Sequence, residues 1–160
     1  MAEILLLRHA KSDHPSGEAD RDRPLTSRGE RSARAIGRAI SGFGATPDLI
    51  LTSPARRAAD TAALARDGGG WSAPIITVEN FYGTGVTAVL DALADHTTAG
   101  RIVAVGHEPT WSATVSALIG GGAIHMVTAA VACVETALPA TPGSGWLRWM
   151  LHPRLFTDPS

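Results

Sequence analysis

Short apolar runs alternate with helical segments along most of the chain, and this alternation restricts the fold more than any other feature. Runs at 4–7, 48–52, 74–78 and 101–105 are typical of strands buried on both faces. Helical spacing follows each of them, at 26–42, 55–66, 87–95 and 109–119, and two further strands close the chain at 129–137 and 145–151. The pattern predicts a three-layer α/β/α fold with a mostly parallel sheet of about six strands.

The length of 160 residues fits one domain, which we assign to 1–152, with 153–160 as a C-terminal tail. The single Cys133 cannot form an internal disulfide. The apolar run at the start has only four residues, too short for a signal peptide or a membrane span. We therefore expect a cytoplasmic protein with no membrane partner.

The net charge of −1 gives no case for nucleic acid or an anionic membrane as a partner. The cations are unevenly spread, however. Most lie between Arg8 and Arg66, and all of these except Lys11 are arginine. Arginine binds oxyanions in a bidentate manner better than lysine does.

Polar side chains follow the predicted strands where a parallel sheet places its ligands, beyond the carboxyl ends. The first strand runs into Arg8 and His9, the third into Glu79 and the fourth into His107, and the helix after the second strand carries Arg56 and Arg57. Two histidines among arginines make a poor metal site, because the cations repel a divalent ion. They suit a phosphoryl group, and we expect no metal and no cofactor.

The residue types suggest a reaction. A neutral His9 imidazole can attack phosphorus, and nearby arginines should lower its pKa. Arginine forks can hold the non-bridging oxygens, and a second histidine can donate to them. A carboxylic acid can protonate the leaving group.

Four motifs make the chain recognisable. They are Leu6-Leu7-Arg8-His9-Ala10-Lys11-Ser12, Asp22-Arg23-Pro24-Leu25-Thr26-Ser27-Arg28-Gly29, Ser53-Pro54-Ala55-Arg56-Arg57-Ala58-Ala59-Asp60-Thr61-Ala62 and Val105-Gly106-His107-Glu108-Pro109. Through these motifs the chain resembles the histidine phosphatase superfamily, with its phosphoglycerate mutase-like fold, and within it the SixA-like phosphohistidine phosphatase branch. Ala10 stands where the usual Arg-His-Gly signature has glycine.

The resemblance implies roles for individual residues. His9 resembles the phosphorylated nucleophile, Arg8 and Arg57 the phosphate-binding arginines, and His107 the second phosphate-contacting histidine. Glu79 is the candidate proton donor, with Asp13 and Glu108 as alternatives. Lys11 and Ser12 are expected to help bind substrate.

The substrate is expected to be phosphohistidine on a protein, because the short connections predict an open site and a phosphorylated imidazole needs little acid assistance to leave. A broad phosphomonoesterase acting on small phosphate esters and a non-catalytic phosphate-binding module are the alternatives. Gly83-Thr84-Gly85-Val86-Thr87-Ala88 also satisfies a dinucleotide-binding pattern. It follows the third strand instead of the first, which argues against a nicotinamide-dependent oxidoreductase.

Overall fold

Six strands form one mixed sheet in the computed structural model, which describes residues 1–157. The strands are Ala2–Arg8 (β1), Leu49–Thr52 (β2), Ile75–Thr77 (β3), Arg101–Gly106 (β4), Val131–Thr136 (β5) and Trp146–Leu151 (β6). Their order is β3-β2-β4-β1-β5-β6. The first four in that order are parallel, whereas β5 and β6 run antiparallel to their neighbours.

Four helices cover the two faces of the sheet: Ser27–Gly42 (α1), Arg56–Gly69 (α2), Val86–Ala94 (α3) and Thr110–Leu118 (α4). Leu5 and Leu7 of β1 point into the core under α1 and α2, while Ile4 and Leu6 point into the core under α3 and α4. Alternate residues of one strand therefore enter opposite cores, which explains its unbroken apolar run. The predicted three-layer α/β/α fold is confirmed.

Helix α2 runs further than the sequence pattern predicts. We expected it to end near residue 66, before a run of glycines, but it continues to Gly69, and Gly70 then ends it in the left-handed conformation with φ 67°. The added turn packs against α1, where a Cβ on Gly68 would collide with the backbone carbonyl of Arg34. Glycine is therefore retained inside the helix because the two backbones approach too closely for any side chain.

The same close approach predicts a large loss of stability for Gly37→Ala in α1. A Cβ at this position would clash with the backbone carbonyl of Ala65 in α2. To relieve the clash, one of the two helices would have to shift, because a backbone atom cannot change rotamer as a side chain can. We expect the free energy of unfolding in urea to fall by about 1–3 kcal/mol. Gly42→Ala is the matched control, since a Cβ there meets nothing within 4 Å. Equal stability of the two variants would contradict this account of α1–α2 packing.

The segment 153–160 is expected to be a tail, and the structure describes it as far as residue 157. Pro153–Leu155 forms a short 3₁₀ helix beside α1, and 158–160 lie outside the described residues. Within residues 1–157, no helix is both long and apolar enough to cross a membrane.

Candidate active site

A polar cleft of about 260 Å³ lies at the carboxyl ends of β1 and β4. These strands end side by side, because Arg8 pairs with Gly106 and the His9 amide donates to the Gly106 carbonyl at 3.0 Å. The ring centroids of His9 and His107 consequently lie 5.3 Å apart. The cleft is lined by Arg8, His9, Lys11, Ser12, His14, Arg23, Arg57, His107, Glu108 and Thr128.

The His9 ring is held in one tautomer. Its Nδ1 lies 2.8 Å from the Ala10 carbonyl oxygen, which can only accept, so the proton sits on Nδ1. Its Nε2 lies 3.3 Å from Arg57 Nε, which can only donate, so Nε2 carries the free lone pair. The nitrogen that faces the cleft is therefore the one able to attack phosphorus.

His9 and His107 are both neutral at physiological pH. Burial is the largest cause that lowers the pKa of His9 to about 3; the hydrogen bond to Ala10 opposes this shift, and the charges of His107, Arg57 and Arg8 add to it. Burial also lowers the pKa of His107 to about 4, followed by the charge of Arg57. The sequence correctly predicts that the pKa of His9 is lowered, but the main cause is the removal of the ring from water and not the charge of the arginines.

Two of the cations that line the cleft, Arg8 and Arg57, lie beside His9. Arg57, at the start of α2, is buried, and its guanidinium contacts both His9 and His107. Arg8, at the end of β1, donates from Nη1 to the Met126 carbonyl at 2.9 Å. Its Nε is buried and has no hydrogen-bond partner in residues 1–157. An anion in the cleft could therefore accept hydrogen bonds that the protein leaves free.

Thr61 explains why α2 and the His9 loop hold a fixed geometry. Its hydroxyl donates to the Arg57 carbonyl at 2.6 Å and accepts from the Ala10 amide at 3.0 Å. One side chain therefore links the backbone of the cleft arginine to the backbone beside His9. The Thr-Ala pair that ends the third sequence motif thus fixes the relative positions of these two groups.

Ser53 orients His107, a role that the sequence did not reveal. Helix α2 begins at Arg56 and Ala55 occupies its N-cap position, so Ser53 does not cap the helix. The Ser53 hydroxyl instead lies 2.7 Å from His107 Nε2 and accepts from the Ala55 amide at 3.2 Å. His107 Nδ1 lies 3.4 Å from Arg57 Nη2, which can only donate, so Nδ1 accepts and Nε2 donates to Ser53 in this structure. Because a hydroxyl can also donate, Ser53 is able to support the opposite tautomer as well.

Asp20 is a second residue that the sequence did not reveal. It begins a 3₁₀ helix at Asp20–Asp22, in the connection between β1 and α1. Its carbonyl and carboxylate accept from Arg57 at 2.8 and 3.2 Å, and Tyr82 donates to the carboxylate at 2.6 Å. The Tyr82 hydrogen bond, then those of Arg23 and Arg57, hold the pKa of Asp20 well below its usual range. Asp20 is therefore an anion at neutral pH.

The three proton-donor candidates occupy different places. The side chain of Glu79 is 69% exposed, pairs with Arg21 at 3.2 Å and does not line the cleft. Asp13 is exposed, and its carboxylate accepts from the His14 amide. Glu108 lines the cleft, but both of its oxygens accept from Ser112, at 2.8 and 2.6 Å.

The two expected substrate-binding residues both line the cleft. Lys11 is exposed at its rim. Ser12 is buried, and its hydroxyl accepts from Arg23 at 2.6 Å. The structure thus gathers His9, Arg8, Arg57, His107, Lys11 and Ser12 in one place and leaves Glu79 outside it.

A buried neutral imidazole beside two arginines has the chemistry needed to bind and attack a phosphoryl group. The family model of the histidine phosphatase superfamily (branch 1) matches residues 4–83, half of the chain. The chain therefore belongs to this superfamily.

Solved structures show which members it is similar to. The protein histidine phosphatase SixA, solved with tungstate, superposes with a TM-score of 0.86 at 22% identity, covering 96% of this chain and 98% of that one. A SixA structure from Agrobacterium tumefaciens gives a TM-score of 0.82 at 28% identity, covering 95% and 99%. An α-ribazole-5′-phosphate phosphatase structure from Escherichia coli gives 0.76 at 18% identity, covering 96% and 98%.

The chain is also similar in sequence to proteins whose names give no activity. An uncharacterised protein of Mycobacterium tuberculosis is 39% identical over 110 residues, which are 67% of this chain and 66% of that protein. The chain therefore spans just under two thirds of that relative's length.

The lowered histidine pKa values predict a loss of stability in acid. Below about pH 6.5, His9 and His107 bind protons in the unfolded chain but stay neutral in the folded protein. The free energy of unfolding therefore falls as the pH decreases toward the pKa values of the folded state. His9→Asn removes one of these sites. Between pH 7.5 and pH 5, wild type should lose roughly 1–2 kcal/mol more than this variant in urea unfolding. Parallel losses in the two proteins would contradict the lowered pKa of His9.

Proposed function

We propose that the enzyme removes phosphoryl groups from phosphohistidine on a protein, with His9 as the nucleophile. The observation that carries this proposal is the state of the carboxyl groups near the cleft. Asp20 is held as an anion, Glu108 has both oxygens engaged, and Glu79 is outside the lining. None of these three is poised to give a proton to a leaving group at the cleft.

This arrangement discriminates between substrates by their leaving groups. An aliphatic alkoxide is strongly basic and needs a proton from an acid as the P–O bond breaks. An imidazole that is protonated on its second nitrogen leaves as a neutral ring and needs no proton from the enzyme. A site without a poised acid therefore favours cleavage of a P–N bond.

The proposed reaction has two displacements at phosphorus. His9 Nε2 forms a bond to phosphorus while the P–N bond to the substrate imidazole breaks. Because the Ala10 carbonyl keeps the proton on Nδ1, the phosphorylated His9 ring carries a positive charge and is itself a good leaving group. Water then attacks phosphorus, the bond to Nε2 breaks with its electron pair returning to His9, and dihydrogen phosphate departs with both water protons.

The other cleft residues act on charge and position in this scheme. Arg8 and Arg57 hold the non-bridging oxygens as charge develops on the transferring group. To donate from Nδ1 to a phosphate oxygen, His107 must accept from the Ser53 hydroxyl at Nε2 and give up the contact of Nδ1 with Arg57 Nη2. For Arg57 to bind phosphate, the Asp20 carboxylate must move away from the guanidinium, since it occupies the same donors.

The openness of the cleft supports a protein-borne substrate. A phosphohistidine side chain projects only a short distance from its own backbone, so a deep, lidded pocket would exclude it. The cleft lies at the surface, where it is bordered by the exposed residues Lys11 and His14. SixA structures are among those that superpose on this chain, and they carry the name of a phosphohistidine phosphatase.

The test compares kcat/KM for a phosphohistidine peptide with that for phosphoserine, phosphorylated sugars and an aryl phosphate. We expect the peptide to exceed every aliphatic ester by at least roughly 10²-fold, the size of one general-acid contribution. A preference for a small aliphatic ester would overturn the proposal in favour of a phosphomonoesterase. Binding of phosphate without turnover of any substrate would instead indicate a non-catalytic module.

A further inference from the structure

A groove rich in cations begins at the catalytic cleft and continues along α1. It consists of two depressions of about 280 and 200 Å³. The first shares Lys11 and Thr128 with the cleft, and the second shares Arg28 and Ser32 with the first. We call this surface the basic groove and define it by its cations Lys11, Arg28, Arg31, Arg38 and Arg154.

The cations of the basic groove have no acidic partner within the described residues. All five are exposed, and none has a carboxylate within 4.0 Å in the part of the chain that the structure describes. By contrast, Arg34 on the same helix pairs with Asp67, and Arg56 pairs with Asp60. Within residues 1–157 no carboxylate lines either depression, although the chain as a whole carries a net charge of −1.

The helical spacing explains how the charge is concentrated. Arg28, Arg31 and Arg38 lie on one side of α1, with Ala35 between them, while Ile36 and Ile40 point into the core. From residue 28 to residue 38 the helix rises about 15 Å, which equals four or five residues of an extended chain. The groove is thus long enough for a short peptide segment that is continuous with a group in the cleft.

We propose that the basic groove binds an acidic segment next to the phosphohistidine of the partner protein. This inference rests on the proposed function, because only a protein-borne substrate reaches both surfaces at once. Lys11 borders both the cleft and the groove, so a chain leaving the cleft passes directly onto the cations. Exposed Phe156 lines the far end and offers an apolar contact. The net negative charge of the chain disfavours the alternative of a nucleic acid.

The test uses two phosphohistidine peptides of the same length, one flanked by Asp and Glu and the other by Asn and Gln. For wild type, kcat/KM for the acidic peptide should be about tenfold higher or more, mainly through KM, and the advantage should shrink with added salt. Arg31→Glu/Arg38→Glu should abolish the advantage and leave hydrolysis of phosphoramidate unchanged within about twofold. Arg66→Glu/Arg148→Glu is the matched control, since it makes the same charge change outside the groove.

A binding arm separates failure of the groove from failure of the proposed function. A fluorescent acidic peptide without phosphate should bind wild type and the control more tightly than it binds Arg31→Glu/Arg38→Glu. Equal binding to all three proteins would overturn the proposal that the basic groove binds an acidic segment, even if phosphohistidine is hydrolysed. If an oligonucleotide or anionic vesicles compete better than the peptide, the acidic protein segment is the wrong occupant. Binding without hydrolysis of any phosphohistidine would overturn the proposed function alone.

Discussion

Replacing His9 with Asn should reduce phosphate release by at least roughly 10³-fold, with a fall in kcat and little change in substrate affinity. The reason is that Nε2 forms the bond to phosphorus in the proposed reaction, and the amide of Asn cannot replace it. Neither His107 nor His14, which also line the cleft, can compensate, because the Nε2 of His107 faces Ser53 and the ring of His14 contacts Arg23. Steady-state kinetics with a phosphohistidine peptide measures the effect.

The control for this variant is His125→Asn, a change at an exposed histidine outside the cleft lining. It should leave kcat within about twofold of wild type, the range of a surface substitution without a catalytic role. Thermal unfolding at pH 7.5 should show that both variants fold. Retention of even a tenth of the activity by His9→Asn would contradict a role for this residue as nucleophile.

Arg57→Lys should lower kcat by roughly 10²–10³-fold although the positive charge is retained. The guanidinium of Arg57 reaches His9 from Nε, the Asp20 carbonyl from Nη1, and His107 from Nη2. A lysine ammonium is a single point of charge and cannot span these positions. The transferring phosphoryl group would then lose a two-pronged contact and its alignment with His9 Nε2.

The neighbouring residue provides a close control for Arg57. Arg56→Lys changes the same residue type one position away, where the side chain is exposed and pairs with Asp60. Its kcat should stay within about twofold of wild type. If the two variants lost activity equally, overall charge near the cleft, and not the geometry of the Arg57 fork, would be the cause.

The sequence predicted the sheet and part of the site for one physical reason. Parallel strands buried on both faces must be apolar throughout, and their carboxyl ends must lie together at one edge. Arg8, His9 and His107 follow such strands directly, so their proximity could be inferred from local patterns. Arg57 lies at the start of a helix that leaves the same edge, and its motif distinguished it from Arg56.

Other parts of the site depend on tertiary contacts that local patterns do not contain. Asp20 reaches Arg57 because a polar segment folds back over the edge of the sheet, and nothing in the residues themselves fixes that path. Serine is a common residue at helix N-caps, but the hydroxyl of Ser53 forms a hydrogen bond with the His107 ring, which is distant in sequence. The length of α2 was misjudged because Gly68 serves close packing against α1, and only Gly70 ends the helix.

The most direct test of the account is to trap the covalent enzyme intermediate. The enzyme is mixed with a phosphohistidine peptide, quenched in alkali within the first turnovers, and digested for mapping by mass spectrometry under conditions that preserve P–N bonds. The account predicts one phosphoryl group on residue 9, attached through Nε2 and lost in acid. A phosphoryl group on His107 or on a serine, or turnover without any phosphorylated enzyme, would contradict it.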